Sequence, residues 1–133
     1  MGDGKIPDLV RNLIVERIES VGQLEVLILL FRSPDKPWTA AEVSANLRSS
    51  ETASKNQLKR LCDAGLISVQ EMNGTDTYWF PPADENIRQI VVELVALYPD
   101  MQHRFIELIY NKPRERIKRF VDAFKVGGEG KDG

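Results

Sequence analysis

The sequence predicts a mainly α fold with one small β-hairpin, in which a helix-turn-helix leads into a two-stranded ribbon and further helices flank both ends. Three observations carry this. Apolar residues recur at spacings of three and four in successive segments up to residue 64, the period of an amphipathic helix. At Gly65 the period drops to two, and "LISVQEM" and "TYWF" lie on either side of Asn73-Gly74, a strong hairpin signal. From Asp84 the helical period returns and persists to Phe124.

Each element has a local cause. Residues 1–6 are expected to be loose. From Pro7, Leu9, Leu13, Ile14 and Ile18 form a first helical stripe. Ser20 can cap a second helix, "VGQLEVLILLFRS", which is apolar almost all round and therefore buried. Pro34 and Pro37 end it. Thr39 followed by Glu42 is a capping box for "AAEVSANLR". Trp38, just before that cap, is expected to pin the loop to the core. A turn at Ser49–Ser50 opens a third helix of the motif, with Ser54, Leu58 and Leu61 inward and Gly65 suited to a left-handed C-cap. Pro81 and Pro82 close the hairpin. Three helical segments are expected beyond it: one from Asp84, one restarted by Pro99 and one begun by Pro113. The end, "KVGGEGKDG", has the composition of a disordered tail.

Composition excludes several classes. Lys+Arg is 18 against 20 Asp+Glu, a net charge of -2, so the chain lacks the basic excess of a general nucleic-acid binder. One cysteine and one histidine cannot form an intramolecular disulfide or a four-ligand zinc site. No cofactor or metal is expected, and most nucleophile and acid–base constellations are absent, so the chain is not expected to be an enzyme. "LEVLILLF" is the longest apolar run and is far short of the roughly 20 residues a bilayer needs. With no apolar leader after "MGDGKIPD", a cytoplasmic location is expected, without membrane contact.

The run from "QLEVLILLF" to "TYWF" resembles the winged helix-turn-helix of MarR-like bacterial transcriptional regulators. The features that match are "TAAEVSANL", a following helix that ends in L-x-x-x-GLI, and the hairpin wing. The "AGLI" step at 64–67 is the most specific of them, and the likeness covers about 60 residues. It implies a DNA-binding regulator whose reading helix, 50–64, enters the major groove with its outer face. On this chain that face is Ser49, Ser50, Thr52, Lys55, Asn56, Lys59 and Arg60, with Asn73, Gly74 and Thr75 at the wing tip. Ser, Thr and Asn can meet base edges or phosphates, and the cations can neutralise phosphates. Against this, residues 20–82 carry six Lys/Arg and seven Asp/Glu. Glu51 is placed to pair with Lys55, and the wing tip "MNGTDT" lacks the basic residue such wings commonly carry.

The expected organisation is an N-terminal helix at 1–19, a winged helix-turn-helix at 20–82, a helical dimerisation or docking region at 83–126 and a tail at 127–133. The apolar stripes after residue 84 exceed what the winged module needs, so one of them must bury against the first helix or a second copy of the chain. A homodimer is expected. The last helix is basic along Lys112, Arg114, Arg116, Lys118 and Arg119 and apolar along Ile117, Phe120 and Phe124. Arg116, Ile117, Arg119, Phe120 and Phe124 are its candidate partner-binding residues. Two readings remain: a dimeric regulator that binds duplex DNA, or a winged-helix adaptor in transcription or signalling that binds another protein and no DNA.

Overall fold

The chain is described by a computed structural model over residues 5–112. The helix expected from Pro113, with Arg116, Ile117, Arg119, Phe120 and Phe124, and the tail at 127–133 lie outside the described residues.

The order is α1 (Asp8–Arg17), α2 (Val21–Arg32), α3 (Ala40–Leu47), α4 (Glu51–Asp63), β1 (Ser68–Met72), β2 (Thr75–Trp79) and α5 (Glu85–Tyr110). This is the winged-helix arrangement. Each helix from α2 onward starts on a polar cap, including Ser50, which reads in the sequence only as part of a turn. Ser20 accepts from the Gln23 N–H, Ser50 from Ala53, and Asp84 from Asn86 and Ile87. Thr39 and Glu42 form the full capping box, and the Thr39 N–H holds the Glu42 carboxyl below its usual range.

The α4 terminus is a Schellman motif. Gly65 has φ +77°, its N–H donates to Cys62, and the Leu66 N–H donates to Leu61. Leu61 and Leu66, the apolar pair of that motif, are both fully buried. The Arg17 guanidinium adds a further cap, donating to the Ala64 carbonyl at 2.5 Å. The direction in which α4 leaves the body is therefore fixed at its far end.

Asn73 and Gly74 both take positive φ, as a two-residue type I′ hairpin requires. The resulting register places Met72 opposite Thr75, Glu71 opposite Asp76 and Val69 opposite Tyr78. Trp38 adds a third, one-residue strand, its N–H and carbonyl bonded to Tyr78 at 2.7 and 2.8 Å. Its indole is buried, with the Lys36 ammonium 4.7 Å from the ring centre. Trp38 thus ties the start of α3 to the wing.

The core lies where α1 and α2 meet α5 and where α4 packs on α2, centred on Ile14, Leu24, Leu27, Leu58, Leu61 and Phe105. Four expectations change. Ile6 was expected in a loose leader but is buried in this core; its apolar side chain is covered by packing that local polarity does not reveal. Leu9, placed on the first stripe, is 62% exposed. The restart expected at Pro99 falls two residues later: two helical segments of α5 meet at a kink at Met101, φ −129°, ψ 22°. Tyr98 and Phe105, on either side of the kink, pack ring to ring at 5.7 Å. Lys112, counted with the basic face of the last helix, is 4% exposed. Its ammonium donates to the Ile18 carbonyl and lies 3.7 Å from Glu19, which latches the end of α5 to the α1–α2 turn.

Candidate nucleic-acid interface

α4 presents its outer side to solvent along its whole length. Ser49, Ser50, Thr52, Lys55, Asn56, Lys59 and Arg60 are all exposed, while Ser54, Leu58 and Leu61 face inward. The helical repeat explains the split: 54, 58 and 61 share one face, 52, 56 and 59 lie opposite it, and 51 and 55 lie on the flank between.

The seven residues do not form one surface. Lys55, Asn56 and Lys59 line a groove of about 990 Å³ between α4, the start of α3 and the wing, shared with Gly74 and Thr75 of the turn. Arg60 points away from it. With Asn56 it borders a smaller hollow against Glu19 and Ser20 of the α1–α2 turn. Ser49 and Ser50 are occupied locally: the Ser49 hydroxyl is 3.0 Å from that of Ser54, and Ser50 caps α4. Asn73 lies at the turn but does not line the groove.

The electrostatics are mixed. Glu51, Asp63, Glu71 and Asp76 line the same groove as the two lysines. Lys59 pairs with Asp63 at 3.3 Å, with both side chains more than half exposed. Such a pair is worth about 0–1 kcal/mol, so a phosphate could displace it at small cost. The i,i+4 pair expected between Glu51 and Lys55 is not formed; neither side chain is in an ion pair among the described residues. Glu51 reads in the sequence as a partner of Lys55, but Asp63, Glu71 and Asp76 were absent from the sequence-derived site. The signal for two of them was in the turn, because a two-residue Asn-Gly loop forces Glu71 and Asp76 into opposition. Both project from the hairpin face that bears Val69 and Tyr78.

Cys62 stands half-buried in the groove wall. Burial first, then Asp63 and Asp76, push its thiol up to about 11 from an ordinary 9.0, with Lys59 pulling the other way. It is a protonated thiol at neutral pH and has no redox-sensor character. Alkylation of the native chain at pH 8 is expected to run about 100-fold slower than of the urea-unfolded chain, and the gap should close above pH 11. The folded state binds this proton more tightly. Its contribution to stability is therefore present below 9.0 and lost as pH rises toward about 11. Equal alkylation rates at pH 8 would show that the thiol is not shielded.

Among the described residues, no group of three or more His, Cys, Asp or Glu could hold a metal ion, and no helix is long and apolar enough to cross a membrane. His103 is exposed and 3.5 Å from Glu107 on the same helix.

No family model and no curated protein matches the sequence. The fold, however, is that of winged-helix transcriptional regulators. The chain is similar to HlyU from Vibrio cholerae, at 20% identity and a TM-score of 0.53 over 68% of this chain and 94% of that one. It is similar to MepR, a transcription regulator of the Staphylococcus aureus multidrug efflux pump MepA, at 12% identity and 0.54 over 90% and 87%. It is also similar to the homodimeric winged helix-turn-helix DNA-binding domain of Mb0332 from Mycobacterium bovis, a possible ArsR-family regulator, at 19% identity and 0.50 over 77% and 94%. The likeness spans differently named regulators and establishes the shared fold rather than a specifically MarR-like membership.

Proposed function

We propose that the chain is a dimeric transcriptional regulator, not an enzyme, that binds duplex DNA in the cytoplasm through the outer face of α4. One observation carries the reading: α4 is held outward on a rigid scaffold, and its polar, lysine-bearing side is covered by no other described element. Lys55 and Lys59 would neutralise phosphates, while Thr52 and Asn56 would reach base edges from the N-terminal half of the helix. The wing, with no Lys or Arg from Ser68 to Trp79 and with Glu71 facing Asp76, would stay clear of phosphates and leave the major groove as the sole point of reading.

Dimerisation makes up for a module without positive excess, because two copies double the phosphate contacts. α1 and α5 pack on each other and expose Leu9, Val92 and Tyr110, apolar residues that a second copy would cover. Two α4 helices about 34 Å apart would then meet successive major grooves.

The groove's four carboxylates favour the second reading, an adaptor for a basic protein partner. Titration with mixed-sequence duplex separates the two. The DNA reading expects a Kd of about 1–100 µM near physiological salt, tightening steeply as salt falls. No binding at any ionic strength would rule it out.

A further inference from the structure

We propose that Glu51 is a base-selecting residue that favours cytosine at one position of each half-site. The assignment rests on the DNA reading above and deepens it.

Glu51 opens α4 and is exposed. It lines the groove between α4, α3 and the wing, beside Lys55 and Asn56. Among the described residues its carboxylate is in no ion pair or side-chain hydrogen bond. Thr39, Ala40 and Ala41 line the same groove and have small side chains. If α4 enters the major groove, this carboxylate enters with it.

What can it meet there? A phosphate is excluded by charge. Guanine offers only the O6 and N7 acceptors, and thymine the O4 acceptor and a methyl group. Each would leave the carboxylate desolvated against a like partner. Adenine offers its N6 donor, but N7 beside it repels the second carboxylate oxygen. Cytosine offers the N4 donor with no acceptor of its own beside it, so it is the base whose edge suits an ionised Glu. A first-turn Glu also stabilises a helix through its dipole, but that role has no base preference, which makes base preference the readout to use.

The full chain is put through selection from a randomised duplex library, alongside Glu51→Gln and Glu51→Ala. The wild type should return one cytosine per half-site, preferred about 5- to 150-fold. Glu51→Gln should move that position toward adenine, whose N6 and N7 suit an amide. Glu51→Ala should lose the preference and bind mixed duplex more tightly, since a negative charge has left the interface. The same selected motif from all three proteins would overturn the assignment while leaving the DNA reading intact. A wild type that selects nothing and binds no duplex would overturn both.

Discussion

Reversing the charge at Lys55 and Lys59 together is expected to lower affinity for duplex DNA at least about 100-fold and to flatten its salt dependence. The size follows from counterion release: each phosphate contact contributes about 0.9 to the slope of log K against log salt. Two lysines per subunit of a dimer make four contacts, so the slope should fall by about 3–4. The lower bound on affinity loss allows for Lys59, which already spends part of its charge on Asp63 at 3.3 Å. Both side chains are exposed on a helix whose packing face is 54, 58 and 61. Lys55→Glu and Lys59→Glu should therefore leave the melting temperature within a few degrees of wild type. Fluorescence anisotropy across a salt series measures affinity and slope together. A double variant that binds as tightly as wild type, with an unchanged slope, would show that phosphates are held elsewhere. Arg60 makes a useful contrast: it faces the α1–α2 turn instead of the groove, so its reversal should cost less than that of Lys55.

Much of this surface was legible in the sequence because its determinants are local. A cap needs one side chain and a backbone two or three residues on, so Ser20, Thr39, Ser50 and Asp84 mark helix starts without any knowledge of the fold. Asn73-Gly74 and Gly65 likewise name the backbone conformations they adopt. What was not legible depends on partners distant in the chain. Pro99 reads as the boundary, yet the break falls at Met101, with Val91, Leu94 and Tyr98 buried before it and Phe105, Leu108 and Ile109 after it. Its exact place depends on how both segments pack on the rest of the core. Lys112 reads as part of a wet basic face, yet its long stem lets the ammonium reach the Ile18 carbonyl, 94 residues away. Glu51 and Lys55 have the spacing of an ion pair, but such a pair is worth only about 0.3–0.5 kcal/mol on an exposed helix, too little to hold two long side chains together. The acidity of the groove sits between these cases. Glu71 and Asp76 could be paired from the turn type, but that they share a groove with Glu51 and Asp63 requires the tertiary placement of the hairpin against α4.

Phe105→Ala is expected to be the most damaging single truncation in the described core, costing about 3–5 kcal/mol. For a chain of this size that corresponds to a fall of about 10–20 °C in melting temperature, against a total stability that for most domains is about 5–15 kcal/mol. Phe105 heads the fully buried side chains by volume, and its site should collapse poorly. The ring lies 5.7 Å from that of Tyr98, tilted by 54°, and the two aromatics hold the halves of α5 together across the distortion at Met101. Removing the ring leaves a cavity at the place where the helix has least backbone support. Two consequences distinguish this account from simple loss of apolar volume. Denaturant unfolding should show a lower m-value, because the segment after Met101 frays in the native state and exposes surface before the main transition. Phe105→Leu, which keeps most of the volume, should restore most of the lost stability and the wild-type m-value. The DNA reading adds a third consequence. If α5 helps to join two copies, the alanine variant should dissociate at concentrations where wild type is dimeric, and its duplex affinity should fall although residue 105 lies on a different helix from Lys55 and Lys59. A loss below about 1 kcal/mol with an unchanged m-value would mean that α5 beyond its kink is not part of the cooperative core, and the case for a dimer built on α1 and α5 would lose its footing.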